Sequence, residues 1–317
     1  MLPFGSSTNP IMRDSFVRTL TQIAASDANV MLITGDLGFG VLTDFAKRFP
    51  RQYINAGIAE QNMTALAVGL SLEGKCVFTY SIANFPTLRC LEQIRNDSAY
   101  HRANVKIVSI GGGFSYGPLG FSHHATEDLS IMRALPNVTC VSPTSLWETV
   151  EATQAIANTP GTCFLRLDKD RGPDGPPEEL FVLGRPRVLR RGSDVALVTT
   201  GGILSEVTKA ADELERAGVR ASIYSVHTLK PFDPALLLAA ARTHRALVTI
   251  EENTVLGGFG SLVLESLADA GAVPPRLLRI GLDGCFSSTV GTQAFLRAAY
   301  GMDAAQICHR TLTLLNR

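Results

Sequence analysis

The sequence contains no Cys-x-x-Cys pair and no cysteine–histidine cluster at zinc-ligand spacing, which excludes a zinc-ribbon module and a dithiol redox motif. Its six cysteines are Cys76, Cys90, Cys140, Cys163, Cys285 and Cys308. Most lie in apolar runs such as Cys76-Val77-Phe78, where buried reduced thiols of a reducing compartment are expected. Net charge is also missing: 29 Lys and Arg balance 29 Asp and Glu. That speaks against a nucleic-acid binder, which carries a basic patch or a high pI. It leaves room for a small anion held by a few local cations. No apolar run approaches the roughly 20 residues that span a bilayer, so no membrane partner is expected. The opening residues, Met-Leu-Pro-Phe-Gly-Ser-Ser-Thr-Asn-Pro, lack the cationic stretch and apolar run of a signal peptide, and a cytoplasmic location is the expectation. Internal repeats and low-complexity tracts are absent.

What is present is a chain of 317 residues, 45% hydrophobic and 18% charged, enough to bury the cores of about two domains. Short apolar runs rich in β-branched residues read as strands: 30–34, 76–80, 105–110 and 163–167, then 194–200, 221–226 and 246–252. Helical stretches at 61–72, 205–217 and 257–268 lie between them. Strands apolar along their whole length and separated by helices predict parallel sheets covered on both faces. The segment from Asp168 to Pro186 is dense in Pro, Gly and charge and cannot continue a helix or a central strand. The predicted organisation is two α/β domains with mainly parallel sheets, 10–172 and 192–317, joined by a linker over 173–191.

Three stretches carry chemical interest. In Asn55-Ala56-Gly57-Ile58-Ala59-Glu60-Gln61-Asn62-Met63, a glycine turn after a strand puts a carboxylate in the first turn of a helix. Glu60 there is either a favourable charge at the positive end of the helix dipole or a positioned acid/base group. Gly111-Gly112-Gly113-Phe114-Ser115-Tyr116-Gly117-Pro118-Leu119-Gly120 is glycine-rich after a strand, but no helix start or downstream ribose acid makes it a dinucleotide signal. Gly257-Gly258-Phe259-Gly260 opens a helix and offers a phosphate cradle.

The Glu60 stretch resembles the Gly-Ile-Ala-Glu-Gln signature of the transketolase superfamily, which includes transketolases, deoxyxylulose-phosphate synthases and the β chains of 2-oxoacid dehydrogenases. The resemblance runs over nearly the whole chain and implies a pyrimidine-binding domain for thiamine diphosphate followed by a transketolase C-terminal domain. It implies that Glu60 bonds a ring nitrogen of the cofactor's aminopyrimidine. In Thr79-Tyr80-Ser81-Ile82-Ala83-Asn84-Phe85 it implies an aromatic stacked on that ring, Phe85 first and Tyr80 second, against plain core packing. The following stretch, Arg89 to Asp97, matches the family's next helix, whose polar groups are expected at an interface or in solvent. Ser122-His123-His124-Ala125-Thr126-Glu127-Asp128 is similar to the family's active-site loop. His123 falls at the substrate-facing histidine, and His124 is a further candidate. Arg166 matches an arginine that clamps a substrate phosphate, the alternative being a salt bridge to Asp168 or Glu127. Asp36 matches an acidic position near cofactor and subunit interface, the alternative being a turn. Lys230-Pro231-Phe232-Asp233 and Glu251 to Gly260 match the C-terminal domain and are expected to be structural.

Two departures stand out. Leu119 occupies the place of an aspartate that reads sugar hydroxyls in the family's transketolases, and a second family histidine falls in the Gly111–Gly113 run. The family's metal-holding Gly-Asp-Gly…Asn pattern is missing. Thiamine diphosphate and its Mg²⁺ (or Ca²⁺) would therefore be gripped by a separate N-terminal subunit, most simply in an α₂β₂ assembly. The activity so implied is transfer of a two-carbon ketol unit from a phosphorylated ketose to an aldehyde. The alternatives are the β chain of a 2-oxoacid dehydrogenase and a non-catalytic scaffold subunit.

Overall fold

The computed structural model describes residues 10–172, 180–274 and 276–316. The opening residues 1–9 and the 173–179 part of the expected linker lie outside the described residues.

In the first domain, strands β1 (Val30–Thr34), β2 (Tyr53–Asn55), β3 (Cys76–Ile82), β4 (Val105–Ile110), β5 (Val138–Val141) and β6 (Thr162–Leu167) alternate with helices α1 (Met12–Ser26), α2 (Thr43–Arg48), α3 (Glu60–Leu72), α4 (Asp128–Ala134) and α5 (Leu146–Ala157). In the second, β7 (Arg187–Arg190), β8 (Val195–Thr199), β9 (Ala221–Ser225), β10 (Thr228–Lys230), β11 (Ala246–Thr254) and β12 (Leu277–Leu282) alternate with α6 (Leu204–Arg216), α7 (Ala235–Thr243), α8 (Phe259–Asp269), α9 (Gln293–Ala299) and α10 (Ala304–Leu315).

Strands β1, β4 and β6 are buried along their whole length, as apolar runs covered on both faces must be. Their side chains divide by the two-residue period. Val30 and Leu32 join an apolar cluster with Phe16 of α1 and Ile156 of α5, while Met31 and Ile33 join another with Met63 and Ala67 of α3. That second cluster continues into the other domain through Ala196 and Val198 of β8, Leu247 of β11 and Phe259 of α8. The two domains therefore share an apolar core.

The first sheet has the order β10-β5-β6-β4-β3-β1-β2, and the second β12-β11-β8-β9-β7. All pairings within them are parallel except β10 on β5 and β7 on β9. The expected fold class is what the structure has: two α/β domains with mainly parallel sheets. Two details go beyond the expectation. The stretch expected as linker up to 191 carries β7, which pairs antiparallel with β9. The second domain also gives the short β10 to the first domain's sheet, with Thr228 opposite Val141. Of the six thiols, Cys76, Cys90, Cys140, Cys163 and Cys308 are buried and Cys285 is exposed, and none is paired.

Candidate active site

The loops that follow β1, β2, β3 and β4 all leave the sheet at the carboxyl ends of parallel strands, the usual ligand edge of an open α/β sheet. Asp36, Phe85, His123 and His124 lie on these loops, Glu60 opens α3 directly after the β2 loop, Arg166 is near the end of β6, and Tyr80 lies within β3.

After β2 the chain turns through Gly57, whose φ of 75° is a conformation that side chains disfavour, and enters α3 at Glu60. Glu60 is only 3% exposed. Its carboxylate makes no hydrogen bond to the helix's own amides among the described residues, so it is not a cap. Arg89 Nη1 instead donates to Glu60 Oε2 at 2.7 Å. Oε1 has no hydrogen-bond partner among the described residues. Asp36, at φ 55°, lies exposed just beyond the end of β1, next to Gly35, where an added Cβ would meet Glu60 Cγ at 3.4 Å. Asn55 Nδ2 donates to Asp36 Oδ1 at 2.9 Å, and the Asp36 amide donates back to Asn55 Oδ1 at 2.9 Å. This reciprocal pair ties the ends of β1 and β2 together and fixes the turn that delivers Glu60.

Of the two aromatic candidates, the structure brings Phe85 to the site and keeps Tyr80 away. Tyr80 is buried against Phe16, centroids 6.2 Å apart, and burial pushes its hydroxyl pKa up. Phe85 is half-buried, with the Arg89 guanidinium 4.5 Å from its ring centroid and the His123 ring edge-on at 5.2 Å. Glu60, Arg89, Phe85 and His123 thus form one continuous contact chain. Arg89, expected at an interface or in solvent, is exposed and also touches both Glu60 and Phe85. The signal was its place four residues after Phe85. The helix expected to follow has π-type turns over Gln93–Ala99, with Tyr100 N donating to Arg95 O at 3.1 Å.

The 111–125 loop is closed at its neck by Gly113 and Ala125, whose amides and carbonyls exchange bonds of 2.8 and 3.0 Å. Inside it His123 lies partly exposed, between the rings of Phe85 and Tyr116. Its pKa is lowered, first by desolvation and then by neighbouring His124. His124 is buried and edge-on to Phe114, centroids 5.1 Å apart. Its Nε2 lies 3.1 Å from the Gly117 carbonyl, which assigns the proton to that nitrogen, and Nδ1 has no partner among the described residues. Leu119 is exposed at the rim.

The three glycines of this loop are spacing devices rather than an anion cradle. A Cβ on Gly112 would fall 1.9 Å from Arg166 Nε, and one on Gly113 2.5 Å from the Glu252 side chain. Their amides are already used: Gly111 and Gly112 donate to Leu167 O, Gly113 to Ala125 O and Phe114 to Glu252 Oε1. The Gly257–Gly260 run is likewise closed to phosphate. Phe259 N and Gly260 N each donate to the Glu251 carboxylate at 2.7 Å. Burial pushes the Glu251 pKa up to about 7 despite these bonds.

Arg166 does not reach the cleft. It is 2% exposed, and its Nη2 donates to Ala125 O at 3.3 Å and Glu252 O at 2.9 Å. Its nearest acid is Asp128, Nε to Oδ2 3.4 Å, rather than Asp168 or Glu127. The physical reason is the convergence of buried acids there: Asp128, Asp168, Glu251 and Glu252 all hold the guanidinium charged and inward. Burial pushes Asp128 up to about 6.

The second domain reaches the site, although its residues were expected to be structural only. A cleft of about 330 Å³ is lined by Asn84, Phe85, Arg89, Phe121, His124 and Glu127 of the first domain and by Phe286 and Ser287 of the second. Glu252 on β11 holds the loop from behind, taking Phe114 N at 2.6 Å, Gln293 Nε2 at 3.0 Å and Arg297 Nε at 2.7 Å. Large apolar side chains stand exposed around the site, among them Phe39 at 80% and Ile58 at 79%.

The family described as "Transketolase, pyrimidine binding domain" matches residues 9–174, and "Transketolase, C-terminal domain" matches 184–307. One of the subunits of the apulose-4-phosphate transketolase of Phocaeicola vulgatus is 32% identical over 308 residues, covering 96% of this chain and 97% of its own. The 6-deoxy-6-sulfo-D-fructose transketolase subunit SqwH of a Clostridium species is 34% identical over 299 residues, covering 93% and 92%. A solved structure described as a split gene transketolase, inactive β4 tetramer, superposes with a TM-score of 0.86 at 33% identity, covering 96% of this chain and 98% of its own.

Proposed function

Because this chain belongs to the transketolase family, as that family's pyrimidine-binding and C-terminal domains, we propose that it is the C-terminal subunit of a split, thiamine-diphosphate-dependent transketolase. It moves a two-carbon ketol unit from a phosphorylated ketose to an aldehyde, and it is active only with a separate subunit that grips the diphosphate and its Mg²⁺ (or Ca²⁺).

The observation that carries this reading is the Glu60 carboxylate: buried, at the ligand edge of the sheet, one oxygen unpartnered, with a half-buried aromatic ring beside it. That pairing fits the pyrimidine end of the cofactor. The other end finds no such fit. The two glycine-rich runs have spent their amides on the chain's own carbonyls and carboxylates, and the described residues offer no group of three or more His, Cys, Asp or Glu for a metal. A subunit that brings the missing half would also cover the exposed Phe39 and Ile58.

When bound, thiamine diphosphate supplies the electron sink for cleaving and forming the carbon–carbon bond. The chain's own residues do the rest. Glu60 Oε1 would bond a nitrogen of the pyrimidine ring, and Phe85 would offer the surface for that ring. Asp36 and Asn55 keep the Glu60 turn in place. The lowered pKa of His123, set first by desolvation and then by His124, favours the neutral ring, which can accept a substrate proton or bond a substrate oxygen. Phe286 and Ser287 close the substrate side of the cleft.

The test is Glu60→Gln in the complex of this chain with its partner, which keeps shape and removes the acid. Turnover should fall by about 10²- to 10⁴-fold, the usual worth of a positioned proton donor. Native mass spectrometry of the wild-type complex should show a second chain and thiamine diphosphate. A scaffold subunit would lose little turnover, and a homomer that stays free of cofactor after cross-linking before lysis would defeat the proposal.

A further inference from the structure

One stretch of the second domain grips both limbs of the 111–125 loop. Glu252, on β11, is 4% exposed, and its Oε1 takes the Phe114 amide at 2.6 Å on the incoming limb. Its backbone carbonyl takes Arg166 Nη2 at 2.9 Å, the same nitrogen that donates to Ala125 O at 3.3 Å on the outgoing limb. Two residues on, the Thr254 amide donates to Thr126 O at 2.7 Å. His123 is only two residues from Ala125, so its place follows from where these limbs are held. We infer that Glu252 is a positioning residue, which sets where the loop presents His123 to the cleft. The inference rests on the reading of His123 given above.

The path from Glu252 to His123 is continuous. The Phe114 ring, on the residue whose amide Glu252 holds, lies edge-on to His124 and stacks on Tyr300 of the second domain, with centroids 5.1 and 5.4 Å apart. His124 is the next residue after His123, whose ring rests between those of Phe85 and Tyr116. The path is also tight. A Cβ on Gly113 would lie 2.5 Å from Glu252 Cγ, so the loop backbone packs directly on the side chain that holds it. Glu252 is itself fixed: Arg297 Nε and Nη2 reach its Oε2 at 2.7 and 2.6 Å, and Gln293 Nε2 donates to Oε1 at 3.0 Å. A carboxylate has one oxygen for the loop amide and another for the guanidinium, whereas a glutamine has a single acceptor oxygen.

A residue that only supports the fold lowers stability without regard to His123, whereas a positioning residue acts through it. Glu252→Gln leaves one acceptor oxygen where two are used. Glu252→Asp keeps the charge for Arg297 but draws the carboxylate back from the Phe114 amide, and it covers the case in which the first variant does not fold. The first measurement is carbethoxylation of His123 by diethyl pyrocarbonate in the full chain, followed by tandem mass spectrometry across pH. The reagent attacks the neutral ring, so the midpoint of rate against pH reports the His123 pKa, which desolvation lowers first and His124 lowers further. The midpoint should rise toward the ordinary histidine value in both variants, as the ring leaves its place between Phe85 and Tyr116 and regains water. If it stays in place in every variant that folds, the inference is overturned. The second measurement is a double-mutant cycle on kcat/KM for the ketose donor, in the complex with the partner subunit. Either Glu252 variant should lose about ten- to a hundredfold alone, and less than about twofold when His123→Asn is already present. Equal losses in both backgrounds also overturn the inference. If the wild-type complex transfers no ketol unit, the proposed function fails, and the midpoint still decides whether Glu252 places the His123 ring.

Discussion

Replacing Gly112 by alanine tests what the glycine run is for. The added methyl would sit 1.9 Å from Arg166 Nε and 2.5 Å from Asp168 Oδ1. Neither neighbour has room to retreat: Arg166 is 2% exposed and tied to two carbonyls, and Asp168 takes the Gly202 amide. If the backbone alone absorbs the clash, overpacking costs about 1–3 kcal/mol. If the guanidinium is expelled, buried Asp128 loses its cation, and breaking such a pair costs about 3–5 kcal/mol. A loss of about 3 kcal/mol is expected, or a melting temperature lower by roughly 6 °C at the small shift per kcal/mol of a large chain. The control is Gly69→Ala, on the exposed side of α3 with no atom within 4 Å of the new methyl. There alanine should stabilise by about 0.5–1 kcal/mol through helix propensity. Urea midpoints followed by far-ultraviolet circular dichroism would compare the three proteins. A Gly112→Ala protein as stable as wild type but weaker in cofactor or substrate binding would mean that the run is a ligand cradle, and the packing argument would be wrong.

The Glu251 carboxyl has its pKa raised from 4.5 to about 7. The folded state therefore binds more protons than the unfolded one between these values, and stability should decline as pH rises from about 4.5 to about 7, by about 3 kcal/mol in total. Asp128, raised to about 6, acts in the same direction, so the Glu251 share is the slope that disappears in Glu251→Gln when urea midpoints are taken at pH 5 and 7.5. The two adjacent histidines should part company. His123→Asn should leave stability within about 0.5 kcal/mol and raise KM for the donor, whereas His124→Ala, which empties a buried site against Phe114, should cost about 1–3 kcal/mol in the same denaturation assay.

Much of the fold was legible because Val30–Thr34 and Val105–Ile110 have no polar face to place, and such runs have few options other than central parallel strands. β10 was not legible. Three residues, Thr228-Leu229-Lys230, carry no periodicity, and only the free edge of β5 makes them a strand. In the site, Glu60 stands in a motif, whereas nothing local in the sequence tells that Tyr80 packs on Phe16 and Phe85 beside Arg89. Arg166 misled for a related reason. Its acid, Asp128, is distant along the chain and becomes a neighbour only when the Gly113–Ala125 bridge closes the loop. Charges that meet through loop closure leave no local trace in the sequence.

The strand that the second domain lends to the first has a bearing on heredity. With β10 woven into the first sheet and one apolar cluster running through both domains, recombination between related genes at 173–191 would give each half a borrowed partner strand and a borrowed share of core. Such a crossover would have to match the β5–β10 register and the packing of Phe259 and Leu247 at the same time. The unit that can be exchanged, fused to another gene or set free from one is thus the whole chain, even though its sequence reads as two modules.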